Sequence, residues 1–152
     1  MERKTYGEMG RRMAAELAAL RPEELAGYLR RNADALLCGE RPFADYMRGK
    51  LREKKLLQQD VFLAADLPER YGYKLIAGQK HTAQRDTILR LCLAARFDLG
   101  ETDEALILYG MAPLYARRPR DAAFIVAFSR RICDIHEVDA ILRANALPPF
   151  LT

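Results

Sequence analysis

The fold is decided by residues 57–96, which read LQQDVFLAADLPERYGYKLIAGQKHTAQRDTILRLCLAAR. Apolar residues recur there every three or four positions, which is the period of an α-helix with one buried face. The dipeptide Asp66-Leu67 and the later Gly78 interrupt this period and are typical of tight turns. The stretch therefore predicts three short helices separated by tight connections, over 57–65, 68–77 and 83–96.

The same helical period continues on both sides of this stretch, and no alternating run is long enough to predict a strand. Proline suits the first turn of a helix, and glycine suits the position just past its end. We place helix starts at Pro22, Pro42 and Pro119, and helix ends at Gly39, Gly78 and Gly110. The fold class is all-α, and the remaining predicted helices cover 7–20, 22–37, 42–55, 99–109, 119–131 and 135–145.

Three further helix starts are marked by an Asp that is followed three residues later by a Glu. In this variant of the capping box, the Asp oxygen accepts a hydrogen bond from a free N–H of the first helical turn. Thr82 is a fourth candidate cap, for the helix over 83–96. The three acid pairs are Asp66 and Glu69, Asp98 and Glu101, and Asp134 and Glu137.

A weak internal repeat links two of the predicted helices. Arg85-Asp86 and Arg120-Asp121 each open an apolar helix, 35 residues apart, and one of the Asp caps follows in each case. Two stacked helical hairpins would explain the repeat, and coincidence would explain it equally well.

Composition excludes several classes of protein. Half of the residues are hydrophobic and 30% are charged, without a low-complexity run, which favours a folded core over disorder. No apolar stretch approaches the roughly 20 residues of a membrane span, and the N-terminus does not lead into the apolar core of a signal peptide. Three cysteines without CxxC spacing (Cys38, Cys92 and Cys133) favour reduced thiols in a cytoplasmic protein. We expect no disulfide, no metal site, no cofactor and no membrane contact.

The net charge of +4 is unevenly distributed along the chain. Residues 48–96 hold eleven of the 25 basic residues and five of the 21 acidic ones, whereas residues 97–152 are net acidic. A concentration of positive charge suits a polyanion such as nucleic acid, although a solvated Lys/Arg face is the commoner reason for a run of charge.

The stretch over 57–96 resembles the Cro/C1-type (XRE-like) helix-turn-helix family. Gln58 or Gln59 opens the first helix of that unit, and Gly78 matches the glycine that ends its second, the recognition helix. Apolar residues stand where the family buries them, at Val61, Ala65, Leu67 and Leu75. More closely, RPFADYM, the run over 58–92 and YGMAPLYARRPRDA are similar to a Firmicutes group described as transcriptional-regulator-like, over residues 22–150. The resemblance implies a bacterial regulator of transcription with a lambda-repressor-like core.

Two residues depart from the family pattern. Phe62 stands where the family has a small residue, and Gly72 stands where it has a β-branched one. A glycine inside a helix costs about 1 kcal/mol relative to alanine, so the second helix could be degenerate. We favour a size swap, in which the Phe62 ring fills the space vacated at Gly72, because cores tolerate changes that keep total volume.

The resemblance also implies which residues would contact DNA. Outward residues of the recognition helix would read bases, since Arg pairs with guanine and Lys reaches guanine or phosphate. Residues around the next helix N-terminus suit phosphate, because free N–H groups and the positive end of the helix dipole lie there. The alternatives are a solvated helix face, a purely capping Thr82 and a structural Arg85. The predicted contacts are Gln58, Gln59, Glu69, Arg70, Tyr73, Lys74, Lys80, His81, Thr82, Gln84 and Arg85.

No nucleophile elbow, P-loop or zinc spacing occurs, so we expect neither an enzyme nor a small-molecule substrate. The main hypothesis is a sequence-specific regulator that binds double-stranded DNA, with a homodimer as its expected assembly. The alternative is a helical adaptor whose helix-turn-helix binds protein, which Glu69, Phe62 and Gly72 favour. The predicted units are an N-terminal helical extension, the DNA-binding module, and a C-terminal hairpin that packs on the core or forms a dimer interface, over 1–41, 42–110 and 111–152.

Overall fold

The computed structural model describes residues 6–36 and 42–151, and every regular element in these ranges is a helix, which confirms the all-α class. None of the helices in these two ranges is both long and apolar enough to cross a membrane. The elements are α1 (Tyr6–Ala19), a 3₁₀ turn (Pro22–Glu24), α2 (Leu25–Arg31), α3 (Pro42–Glu53), α4 (Gln58–Ala64), α5 (Glu69–Ile76), α6 (Arg85–Ala94), α7 (Leu99–Leu108), α8 (Pro119–Ser129) and α9 (Ile135–Ala144).

The predicted helices are confirmed with one exception, and their ends lie within two residues of the predicted ones. The helix predicted over 22–37 was wrong, because this segment splits into the 3₁₀ turn and the short α2. At the end of α2 the Asn32 amide donates a hydrogen bond to the Tyr28 carbonyl at 3.0 Å, and such local bonds compete with a continuing helix. Gly39, the predicted end of that helix, lies outside the described residues.

Seven helix ends share one sharp reversal, in which a single residue adopts the left-handed conformation. Gly78 (φ +79°) and Gly110 (φ +83°) do so, as predicted. After each of these residues, the next N–H donates back across the turn, as Leu67 does to the Phe62 carbonyl at 2.9 Å. The remaining left-handed residues carry side chains; they are Lys55, Asp66, Arg96, Arg131 and Ala146.

The predicted caps had mixed outcomes. Asp98 forms the expected capping box with Glu101, whereas Asp134 caps α9 by accepting from the His136 N–H and not from that of Glu137. The cap at Asp66 was wrong, because this residue takes the left-handed position after α4 and leaves Pro68 at the N-cap of α5. Thr82 was misplaced as well, since its hydroxyl accepts from the Gln84 N–H before α6 begins.

The core is organised around α6, which is buried on most of its surface and packs against α4, α7 and α9. Cys92 lies on this helix and is fully buried, as expected of a core cysteine. The apolar segment of α8 completes the core with Phe124, Ala127 and Phe128, all fully buried. One continuous cluster therefore crosses the predicted boundary at residue 110 and joins the central helices to the C-terminal hairpin.

Two crossed ion pairs join the start of α6 to the start of α8. Arg85 bonds to Asp121 at 2.6 and 3.1 Å, and Arg120 bonds to Asp86 at 2.6 and 2.8 Å. Each pair is bidentate, which is the strongest geometry for an arginine and a carboxylate. The exchange is reciprocal, like the contacts across a two-fold axis in a symmetric dimer.

The arginines also make equivalent bonds to the loops that follow each hairpin. Arg85 donates to the Pro113 carbonyl at 3.0 Å, and Arg120 donates to the Pro149 carbonyl at 3.3 Å. The hairpin α6–α7 thus has the same closing contact as the hairpin α8–α9.

A second equivalent contact comes from the later helix of each hairpin. Asp103 of α7 accepts from the Leu114 N–H at 2.9 Å, and Asp139 of α9 accepts from the Phe150 N–H at 2.6 Å. Because these contacts recur at an offset of 36 residues, the structure favours duplication of a hairpin over coincidence.

Candidate nucleic-acid interface

The helix α5 separates a buried face from an exposed one. Gly72, Leu75 and Ile76 are buried against the rest of the fold. Opposite them, Glu69, Arg70 and Tyr73 are exposed and Lys74 is half-buried. The sequence prediction of an outward face for these four side chains is therefore consistent with their observed exposure.

The exposed Tyr73 rests on a buried aromatic ring. Phe62 of α4 is fully buried, and its ring meets Tyr73 edge to face, with centroids 4.9 Å apart and an interplanar angle of 82°. The same ring lies against Gly72, where an added Cβ would come within 2.5 Å of it. The predicted size swap is confirmed, and it also supports the aromatic side chain on the outer face.

Three cations around α5 have no acidic partner. Arg70, Lys74 and Lys80 make no ion pair with any residue of 6–36 or 42–151. Elsewhere in the basic middle of the chain, the Nζ atoms of Lys50 and Lys54 form ion pairs with the Glu101 carboxylate, at 3.2 and 3.0 Å. The free positive charge near α5 is one part of a wider set, because four further basic side chains of 48–96 are exposed and form no ion pair within the described residues: Arg48, Arg52, Lys55 and Arg96.

Glu101 shows how firmly those two lysines are held. Burial raises its pKa, but the Asp98 N–H and the ammonium groups of Lys54 and Lys50 outweigh burial, so the pKa lies below its ordinary value. The carboxylate stays ionised and retains both lysines inside the fold.

The loop over 79–84 is held against the end of α7. The Thr82 N–H donates to the Tyr109 hydroxyl at 2.7 Å, and the His81 ring stacks on the Tyr109 ring at 4.6 Å, 5° from parallel. Thr82 is buried, while Lys80, His81 and Gln84 remain exposed. Lys80 and Gln84 of this loop therefore face solvent, whereas the buried Thr82 holds the loop in its conformation.

Arg85 has a structural role in the fold. Its guanidinium is held by Asp121 and by the Ala112 and Pro113 carbonyls. Burial raises the pKa of Asp121, yet the bonds from Arg85 and the Tyr115 N–H outweigh it and lower the pKa. These bonds match the structural alternative considered for Arg85, since they occupy its guanidinium within the fold.

The two glutamines at the start of α4 differ in position. Gln58 is half-buried and Gln59 is exposed. Their surroundings are mixed, because Leu57 and Leu63 are 68% and 80% exposed and the acidic Asp60 is exposed between them. Nothing in the sequence period marks these leucines as outward residues.

A neighbouring segment that the sequence pattern did not reveal is the loop over 115–118. The bonds of Arg85 to Pro113 and Asp121 bring this loop beside the start of α6. The repeated Arg-Asp pair was the only available signal for that proximity.

Among the residues described, no group of three or more His, Cys, Asp or Glu side chains is placed to hold a metal ion. No protein-family model, curated protein or solved structure matches the chain. The resemblance to the Cro/C1-type family therefore stays a prediction that rests on the residues quoted above.

Proposed function

We propose that this chain is a sequence-specific, double-stranded-DNA-binding regulator of transcription. In this proposal α3 to α7 form a lambda-repressor-like core, in which α4 and α5 are the helix-turn-helix. The helix α5 enters the major groove, and α4 crosses the phosphate backbone.

The observation that carries the proposal is the exposed face of α5. Arg70 and Tyr73 are exposed there, beside Lys74, while Gly72, Leu75 and Ile76 fix the opposite face in the core. A helix fits the major groove, which is about 12 Å wide, and Arg can bond to guanine O6 and N7. Glu69 would accept from the amino group of a cytosine.

The loop over 79–84 contacts the phosphate backbone of the DNA. Lys80 and Gln84 are exposed, and Tyr109 fixes the loop that carries them. Phosphate contacts of this kind orient a protein on DNA without reading sequence. In this arrangement α5 contacts the bases, and the loop contacts the phosphate backbone of the DNA.

The test is a binding curve on random duplex DNA, measured by fluorescence anisotropy at several salt concentrations. If about four to six phosphates are neutralised, the slope of log K against log salt is near −4 to −5. Selection of bound sequences then gives the site, and a two-fold-symmetric site would support a homodimer, since dimers read half-sites about 34–36 Å apart. Absence of binding at low salt contradicts the proposal.

A second candidate is a protein-binding adaptor. Leu57 before α4 and Leu63 on it are strongly exposed. Leu63 lines a cleft of about 460 Å³, whose other walls are partly apolar, at Leu56, Val61 and Ala64, and partly charged, at Asp60, Arg96 and Asp134. Exposed leucines suit a protein partner better than a phosphate backbone. Leu63→Glu separates the candidates, because it adds a charge that repels phosphate if α4 crosses the backbone. Unchanged DNA affinity in this variant would place α4 away from the DNA.

A further inference from the structure

The crossed ion pairs place two loops side by side. Arg85 at the start of α6 bonds to Asp121 in the first turn of α8 at 2.6 Å, and Arg120 of α8 bonds back to Asp86 of α6 at 2.6 Å. The loop over 79–84 leads into α6, and the loop over 115–118 leads into α8. The second loop therefore lies beside the start of α6, the helix into which the loop that carries Lys80 and Gln84 leads.

The exposed side chains of this second loop are basic and aromatic. Arg117 and Arg118 are exposed, and Tyr115 is 51% exposed. In the part of the chain that the structure describes, neither arginine forms an ion pair or a side-chain hydrogen bond. Their guanidinium groups are free to bind an anion.

The acids nearby do not cancel this charge. Both oxygens of Asp86 bond to Arg120, and both oxygens of Asp121 bond to Arg85. Arg118 adds a weak Coulombic contribution to the lowered pKa of Asp121 without a direct bond. Asp103 adds one further negative charge beside the loop, since it accepts from the Leu114 N–H, but the two unpaired arginines Arg117 and Arg118 exceed it, so the loop over 115–118 keeps a surplus of positive charge.

The loop is also held in place before any ligand arrives. The Tyr115 N–H donates to Asp121 at 3.0 Å, and the Arg118 N–H donates to the Tyr115 carbonyl at 3.0 Å. Pro119 then opens α8. Because the backbone is already ordered, binding through these side chains costs little loop entropy.

We propose that Tyr115, Arg117 and Arg118 form a second phosphate-contacting surface, which extends the DNA interface beyond α5 and the loop over 79–84. The inference rests on the proposed function. An arginine fork bonds to two phosphate oxygens at once, and a tyrosine hydroxyl bonds to phosphate or sugar. The C-terminal hairpin would thus contribute to binding, although residues 97–152 are net acidic.

The double variant Arg117→Gln/Arg118→Gln tests this surface. Its matched control is Arg130→Gln/Arg131→Gln, which removes two exposed arginines just after the opposite end of α8, with only a long Arg131–Asp98 pair of 3.8 Å to lose. The eleven residues of α8 separate the two sites by roughly 16 Å. Binding to random duplex DNA is measured by anisotropy across a salt series, and thermal melts check that each variant folds.

The test variant should reduce the size of the log–log salt slope by about 1.8, because two phosphate contacts are lost. The control should leave the slope close to that of the wild type. The single variant Arg117→Gln, expected to reduce the slope by about 0.9, replaces the double variant if the latter does not fold. Equal slopes for test and control overturn this inference and leave the proposed function intact, whereas a wild-type protein without duplex affinity overturns the proposed function itself.

Discussion

The ring of Phe62 occupies the space in which a side chain at Gly72 would stand. A Cβ at Gly72 would lie 2.5 Å from both Cγ and Cδ1 of Phe62, a distance that would force the ring to shift. Phe62 is fully buried between α4 and α5. The glycine is therefore required by close approach to an aromatic ring and not by its backbone angle, since Gly72 lies inside a regular helix.

This contact predicts a strong coupling in a double-mutant cycle. Phe62→Ala should cost about 3–5 kcal/mol of unfolding free energy by leaving a cavity, and Gly72→Val should also destabilise by overpacking. The double variant should recover part of the loss, with a coupling above about 0.5 kcal/mol. Urea unfolding followed by circular dichroism measures all four proteins, and additive penalties would contradict the contact.

Gly49 offers a matched control for the glycine effect. It lies inside α3, and an added Cβ there meets nothing within 4 Å. Gly49→Ala should therefore raise the unfolding free energy by up to about 1 kcal/mol, which is the gain in helix propensity. Destabilisation by this change would show that the penalty at Gly72 is not specific to the Phe62 ring.

Local patterns predicted the helices because the signals for their starts and ends are themselves local. Gly78 and the Asp98 capping box needed only neighbouring residues, so their prediction succeeded. Asp66 misled because an Asp also tolerates the left-handed conformation at a helix end. The repeated Arg-Asp pair was consistent with stacked hairpins, but a repeat alone does not say which residues bond, so the exchange of Arg85 with Asp121 and the resulting position of the loop over 115–118 came only from the structure.

Arg70 and Lys80 should respond differently to alanine substitution if α5 reads bases. Arg70→Ala should cost roughly 1–3 kcal/mol on the selected site and relax its specificity. Lys80→Ala should weaken binding to all sequences alike and reduce the salt slope by about 1. Anisotropy titrations on the selected site and on random duplex measure both effects. Equal, sequence-independent losses would mean that the outer face of α5 does not read bases.

Removal of the C-terminal hairpin should unfold the central helices. A chain that stops at residue 115 loses Phe124 and Phe128, which are fully buried in the shared core. It also leaves Arg85 without the Asp121 carboxylate. We expect loss of cooperative thermal unfolding, as seen by circular dichroism. A truncated protein that melts cooperatively near the wild-type temperature would show that residues up to 110 form an independent unit.

The two crossed pairs should differ in stability because their carboxylates differ in exposure. The Asp121 side chain is 6% exposed and that of Asp86 is 37% exposed. Asp121→Asn should cost roughly 1.5–3 kcal/mol, the range for hydrogen bonds to charged groups. Asp86→Asn should cost less and should depend more on salt, because its pair is better solvated. Urea unfolding at low and high salt compares the two variants.

The Asp121 pair should also make stability depend on pH on the acid side. Burial opposes ionisation of Asp121, but the Arg85 guanidinium and the Tyr115 N–H lower its pKa below the ordinary value of 3.8. A carboxylate whose pKa is lower in the folded state stabilises it above the unfolded pKa, and this contribution disappears as pH falls through the folded pKa. The gap in unfolding free energy between the wild type and Asp121→Asn should therefore be constant from pH 7 to about pH 5, and should shrink below about pH 4.

Urea unfolding at pH 7, 5, 4 and 3 measures this gap. The pKa values of Glu101 and Asp139 are lowered as well, but the acid sensitivity that they cause is the same in both proteins and cancels in the difference. A gap of the same size at pH 3 and pH 7 would mean that Asp121 ionises alike in the folded and unfolded chain, and that Arg85 is held by the Ala112 and Pro113 carbonyls alone.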